Sequence, residues 1–443
     1  MPENLFGLPA DEGNKAKPER VTGAPRVQRP DRHQILLRPT HLDALLAEDH
    51  RARIVWDFVM GLDLSGLYAG IRAVEGRAGR PPIDPVILLA LWLYATLEGV
   101  GSARAIDRLC TEHDAYRWIC GGVSVNYHTL SDFRVGQGTV LDDLLTQSVA
   151  VLMAEDLVDL ERVAQDGVRV RAGAGAASFR RKATLEECLE EAEACVEALK
   201  KELDEDPAGA TRRQTAARKR AAEERQRRVT EALEQWPDAA SKKKKAEREK
   251  KARVSTTDPD ARVMKMADGG FRPAFNSQFA ADTKTQVVVG VDVTNLGSDM
   301  AEMPPMVEQI EARFGKPPDE MLVDGGFAAL DAVEKVTNAA RPSTVYAPVT
   351  KPKDTNRDPH ARRPGDSEAV GTWRERMGTD EAKAIYRERA STAECVNAIA
   401  RNRGLQRFLV RGLHKVRAVL LLFALTHNMM RGAELRRLAA AAA

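Results

Sequence analysis

The spacing of the apolar residues first changes near Arg162, where an all-helical pattern gives way to one that includes strands, and that change calls for a fold in two parts. From Leu42 to about Leu160 the apolar positions recur every three or four residues, the spacing of one helix face. The stretch "HRARIVWDFVMGLDLSGLY" follows that rule. "GRPPIDPVILLALWLYATLEGVGSARAIDRLCTEHDAYRWICGG" reads as two helices joined at the Gly99–Gly101 turn, with Asp84 as cap and Pro85 in the first turn. "VNYHTLSDFR" offers a further helix start with Thr129 as its cap. Past Arg162, "RVAQDGVRVRAGAG" alternates over "VRVRA" and carries glycine at its turns, which is strand chemistry. A first strand is expected to end in Asp166.

The second half continues as strands alternating with helices. "RPAFNSQFAADTKTQVVVGVDVTN" predicts two strands separated at Asp282, "EMLVDGG" and "STVYAPV" two more, and "DMAEMPPMVEQIEARFG" and "FAALDAVEKVTNAA" helices between them. From Gly378 to Arg436 the pattern is helical again. Between the first strand and the next lies a charged helical stretch, about Thr184 to Arg253, broken near "DPAGA" and "WPDAASK". It predicts a two-helix hairpin laced by charges four residues apart, and its missing apolar heptad speaks against a coiled-coil arm. Within it, Lys242, Lys243, Lys244 and Lys245 form a run able to meet nucleic-acid phosphate, with strong salt dependence and no base specificity.

Composition narrows the class. Of 443 residues, 43% are hydrophobic and 30% charged, the balance of a soluble globular chain with solvated segments. A net charge of +2 names no partner by itself. The five cysteines, Cys110, Cys120, Cys188, Cys195 and Cys395, show neither paired spacing nor Cys-x-x-Cys, so reduced thiols in a cytoplasmic protein are expected and zinc is not. The first residues lack a basic-then-apolar signal pattern, and the longest apolar runs are too short to span a bilayer.

The chemistry is foreshadowed at "MLVDGGFAAL", where an apolar run stops on Asp324. Asp there is either a cap for the next helix or a metal ligand at a strand end. Asp166–Gly167 repeats the same local design, and glycine lets a ligand or backbone approach closely. Two carboxylates side by side repel unless cations lie between them, and hard divalent ions such as Mg²⁺ suit oxygen donors. A two-metal site needs a third carboxylate. Glu394 is one candidate, on a helical stretch that would share a face with Arg401 seven residues on, although spacing alone leaves it one surface glutamate among many. Asp282 is a rival for the second position, also explained as a β-turn aspartate.

Taken together, "DPDARVMK…FNSQFAAD", "VDGGF" and "YRERASTAE…RGLQRFLVRGLHKVRAVLLLFALTHNMM" resemble the DDE-type transposases of bacterial insertion sequences, and the upstream helical stretch resembles the N-terminal domain of that group. The likeness runs in order from about residue 40 to 435. It implies an α/β fold, a ribonuclease-H-like mixed sheet flanked by helices, with an all-α N-terminal domain and a charged helical insertion. The implied layout is an arm at 1–40, a DNA-binding domain at 41–158, a catalytic domain at 159–436 interrupted at 180–255, and a tail at 437–443. It further implies Asp166, Asp324 and Glu394 as ligands of two Mg²⁺ ions, with Mn²⁺ as a substitute. Tyr386, Arg389 and Arg401 fall on its DNA-facing positions. Water would attack a phosphodiester at the element's end, and the freed 3′-hydroxyl would then attack target DNA. The implied partner is double-stranded DNA, the working form a homodimer, and the alternative a decayed, non-cutting repressor. Three departures stand out. Phe327 replaces a usual tyrosine, Arg401 a usual lysine, and "CVNAIAR" follows Glu394 where an aromatic–Gly pair and proline are common.

Overall fold

Capping chemistry sets the early helices. The Asp84 carboxylate accepts from Val86 N at 2.9 Å, and Pro85 opens the helix it caps. Thr129 does not cap the helix beginning at Tyr127. Asn126 does, its Oδ1 accepting from Thr129 N at 3.0 Å, because a cap must precede the first helical residue and face the third amide. The structure is a computed structural model and describes residues 41–74, 81–205, 212–351 and 357–442. The expected arm at 1–40 and the break at "DPAGA" lie outside these residues.

Besides single turns at Leu42–Leu45 and Ser65–Tyr68, the helices described before the sheet are α1 (Arg51–Met60), α2 (Pro85–Leu97), α3 (Ala103–Glu112), α4 (Asp114–Cys120), α5 (Tyr127–Gly136) and α6 (Gly138–Ala154). The stretch after the Gly99–Gly101 turn thus splits into α3 and α4 rather than one helix, with His113 capping the second through Nδ1 to Ala115 N at 3.2 Å. Helix α2 is apolar on every side, and all but one of its residues are buried, so it is the axis of this half.

The sheet has six strands, β1 (Arg162–Arg171), β2 (Arg262–Lys265), β3 (Phe271–Asp282), β4 (Val288–Thr294), β5 (Glu320–Leu322) and β6 (Thr344–Tyr346). β3 lies antiparallel between β1 on one side and β2 and β4 on the other, while β5 and β6 continue from β1 in parallel. β1 does not end at Asp166. It runs on to Arg171 because β3 stays paired along its whole length, from Val163 opposite Asp282 to Arg171 opposite Ala274. β5 pairs only Arg162 to Ala164. Asp166 therefore stands where its parallel neighbour has already left.

The two faces of the sheet are covered differently. Val168, Val170, Phe275, Phe279 and Val291 share one core with α2 and with the C-terminal helix α14 (Leu413–Ala442). Val163, Ala280 and Val289 share another with α9 (Met303–Phe314), and Val333 of α10 (Leu330–Thr337) joins it. Truncating a buried aromatic such as Phe423 in the first core costs about 3–5 kcal/mol in comparable cases.

The charged insertion forms α7 (Lys182–Glu205) and α8 (Arg212–Glu234), then a short helix at Trp236–Ser241. Ion pairs run along α8, as Arg227–Glu231, and across the hairpin, as Arg225–Glu191 at 3.0 Å and Arg218–Glu202 at 2.9 Å. After β6 come α11 (Glu368–Met377), α12 (Asp380–Arg389) and α13 (Cys395–Asn402), with a turn of π-helix at Ala390–Glu394 joining the last two. All five cysteines are free thiols. Among the described residues no helix is long and apolar enough to cross a membrane.

Candidate active site

Asp166 sits on the β1 face turned toward α13, half-buried, with both oxygens engaged. Oδ1 accepts from Gly167 N at 3.0 Å and Oδ2 from Asn397 Nδ2 at 2.9 Å. Burial pushes its pKa up, Arg389 pulls it back, and the Asp324 charge adds to the upward push. Behind the strand, Asp299 closes on Gly167. A Cβ at residue 167 would lie 2.5 Å from Asp299 Oδ1 and 2.6 Å from Gln278 Nε2, so only glycine fits. Asp299 is held there by Asn276 Nδ2 at 2.6 Å, Gln278 Nε2 at 2.8 Å and Arg169 at 3.2 Å.

Asp324 lies two residues past β5. Its Oδ1 accepts from Gly326 N at 2.7 Å, closing a local turn. The cap alternative fails, since α10 begins at Leu330 with Ala329 at its cap position and no side chain supplying a bond. Asp282 is the turn aspartate of the β3–β4 connection, its Oδ1 accepting from Thr285 N at 2.8 Å and Thr285 Oγ1 at 2.6 Å.

Glu394 comes from the π turn. There the backbone bonds i to i+5, which brings residues five apart into line, and Arg389 and Glu394 are five apart. The turn is held by Thr392 Oγ1 donating to Glu388 O at 2.9 Å and by Gln286 Nε2 donating to Ser391 O at 3.1 Å. Helix α12 is pinned to the sheet by Arg162, which reaches Glu320 at 2.5 Å and Glu388 at 2.7 Å. The pinning aims Arg389 into the site. Its Nη2 is 3.7 Å from Asp324 Oδ2 and its Nη1 3.9 Å from Glu394 Oε1, while Asp166 interacts with it electrostatically. Burial works against the Arg389 cation, but the Tyr386 hydroxyl and the Asp166 and Asp324 charges outweigh it and raise its pKa. Nη1 is buried without a hydrogen-bond partner.

Three carboxylates more than 200 residues apart at the extremes, 166 to 394, thus converge on one guanidinium. Among the described residues no three His, Cys, Asp or Glu side chains lie close enough together to hold a metal ion. The donor set is nevertheless all carboxylate oxygen, which suits a hard divalent cation, and a cation already stands between the donors in the form of Arg389.

The other expected contacts are scattered. Arg401 is exposed at the end of α13 and lines a cleft beside Gly167. Lys242 pairs with Asp238 at 2.9 Å, and Lys243, Lys244 and Lys245 are exposed near the short helix Trp236–Ser241, with no contact to the carboxylates. Asn397 and Asp299 were not anticipated. The sequence signal nearest to Asn397 is that it lies in "CVNAIAR", the stretch after Glu394 noted above as a departure.

Comparison with known proteins adds two matches. Residues 40–135 match a family described as Transposase domain (DUF772), and residues 350–432 match one described as Transposase DDE domain. The second span contains Tyr386, Arg389, Glu394, Asn397 and Arg401. Neither a curated protein nor a solved structure matches the chain.

Proposed function

We propose that this chain, an insertion-sequence transposase of the DDE type, binds the inverted repeats at the ends of its element and cuts and joins DNA there. The convergence of Asp166, Asp324 and Glu394 on the Arg389 guanidinium is the observation that carries this reading. These three would hold two Mg²⁺ ions, with Mn²⁺ as a substitute. The ions, when bound, would activate the attacking oxygen and stabilise the leaving one. The protein's own part is placement. Asn397 and the Gly167 amide fix the Asp166 oxygens, and the Gly326 amide fixes Asp324. Arg389 balances the carboxylates until cations arrive and then meets a phosphate with Tyr386, while Arg401 and the run Lys242, Lys243, Lys244 and Lys245 bind backbone phosphate.

The strand order supports a ribonuclease-H-like reading of residues 159–436, since the first strand carries one carboxylate, β3 pairs antiparallel on one side of it with β4 antiparallel beyond, and the parallel strand β5 on its other side leads to the second. Residues 41–158 would be the DNA-reading part, 180–255 an insertion, 1–40 an arm and 437–443 a tail. Two element ends must be held at once, so the working form is a homodimer acting on cytoplasmic DNA.

The test uses a duplex bearing the inverted repeats that flank the gene. Wild type is expected to nick it with Mg²⁺ or Mn²⁺, and Asp324→Asn to bind it but cut at least about 1,000-fold more slowly. Metal-indifferent binding without nicking by wild type would instead favour a non-cutting repressor.

A further inference from the structure

A cleft of about 580 Å³ opens beside the carboxylates, lined by Gly167, Arg169 and Arg171 of β1, Lys265 and Arg272 of the β2–β3 hairpin, and Arg401 of α13. Its inner end is the catalytic strand itself, because Gly167 follows Asp166. Its outer wall is tied to the same site, since Arg401 stands four residues, one helical turn, beyond Asn397, whose amide holds Asp166.

The charges in this cleft are of two kinds. Arg169 is held by Asp299 at 3.2 Å and Arg272 by Asp268 at 2.7 Å. Arg171, Lys265 and Arg401 are exposed and form no ion pair among the described residues, although the Arg171 charge is felt by Asp268. The charged hairpin contrasts with this, since Arg218, Lys219, Arg225 and Arg227 all face glutamates there. Cations of one sign gathered in a concave surface reinforce one another's field, whereas paired charges cancel within a few ångströms. The near-neutral chain therefore gathers a surplus of positive charge, five cations against the one lining carboxylate of Asp268, in a cleft that begins at the residue after Asp166.

We propose that this cleft seats the sugar–phosphate backbone of the DNA strand adjoining the phosphodiester that is cut, with Arg171, Lys265 and Arg401 each meeting a phosphate. Asp299 and Asp268 hold Arg169 and Arg272 as the fixed walls. Contacts of this type set register and affinity without reading bases. The occupant is identified through the DNA chemistry proposed above; the cleft and its charge are independent of it.

Binding of the full-length chain to a fluorescent mixed-sequence duplex, measured over a range of NaCl concentrations, tests this. Each of Arg171→Ala, Lys265→Ala and Arg401→Ala should lower the slope of log K against log salt by about 0.9, and the triple variant by about 3. Lys335→Ala, which removes a cation paired with Glu308 at 2.7 Å, should leave the slope unchanged. A triple variant with the wild-type unfolding temperature, slope and affinity would overturn the proposal. Should the triple variant fail to fold, Lys265→Gln on the exposed hairpin gives the same reading alone. Nicking by wild type with unaltered binding in the cleft variants sinks the cleft and leaves the enzyme. Weakened binding in those variants, with no nicking by wild type, keeps the cleft and sinks the enzyme.

Discussion

Arg389 carries one positive charge among three carboxylates, at separations that satisfy none of them fully. A charge-assisted guanidinium–carboxylate bond closes to about 2.7–2.9 Å, yet the contacts to Asp324 and Glu394 are 3.7 and 3.9 Å, and Nη1 has no hydrogen-bond partner. The residue acts as a shared counter-ion rather than as the partner of one acid. Removing it should expose the acids to mutual repulsion. Arg389→Ala is expected to melt at a lower temperature than wild type without metal, and to gain more on adding Mg²⁺, because no bound cation has to yield. Thermal unfolding with and without Mg²⁺ checks this, and an equal or smaller gain in the variant would count against the counter-ion role. Arg389 and Glu394 could be picked out of the sequence because the motif that holds them is local. The hydrogen bond from Asn397 to Asp166 could not, since it joins residues 231 positions apart.

At the scale of elements, the π turn at Ala390–Glu394 is a departure from helical pattern that spacing arguments do not see. Apolar periodicity reads α12 and α13 as one continuous helix, and on an ideal α-helix residues 389 and 394 point to different sides. The extra backbone step realigns them, and Gln286, from the turn between β3 and β4, satisfies a carbonyl the step leaves loose. The charged hairpin shows the reverse case. Its two helices were readable from local charge pairing, because charges three or four apart on one helix need no tertiary context. Its middle is held by a small cluster, Val196, Leu199 and Ala222, apart from the more deeply buried Leu185, Ala192, Val229 and Ala232, and surface ion pairs contribute only about 0–1 kcal/mol each. Amide hydrogens of Val196–Leu199 should therefore exchange faster than those of β1 and β3, measured by hydrogen exchange. Equal protection would mean the hairpin is braced by something other than its own contacts.

Across the whole molecule, α14 ties the N-terminal helices to the sheet. Its Asn428 exchanges hydrogen bonds with Val288, at 2.8 Å from Val288 N and 2.7 Å to Val288 O, and its His427 Nε2 donates to Gln286 O at 2.8 Å. Burial lowers the His427 pKa from 6.5 to about 4, so the folded chain resists a proton that the unfolded chain accepts. Stability from this group is present at neutral pH and is lost as pH falls from about 6.5 toward 4. Glu302 works in the opposite sense, because burial and the Asp292 charge raise it to about 7. Its folded form takes up a proton first, so it adds stability as pH falls from about 7 toward its ordinary range. Across that window His427→Asn should lose less stability than wild type and Glu302→Gln should lose more, measured by chemical denaturation at several pH values. Matching pH profiles for wild type and both variants would refute the assignment. The sequence by itself determined the helix-then-strand order, the turn at Asp282, the paired charges of the hairpin and the short motif from Tyr386 to Arg401, because each is written in neighbours a few residues apart. Only the tertiary structure decided that β1 runs past Asp166, that Asp324 caps no helix, and that Asn397, Asp299 and the unpaired cations of β1 and its hairpin gather at one strand. Those outcomes depend on which strands pair and for how long, and on contacts whose partners are hundreds of residues apart.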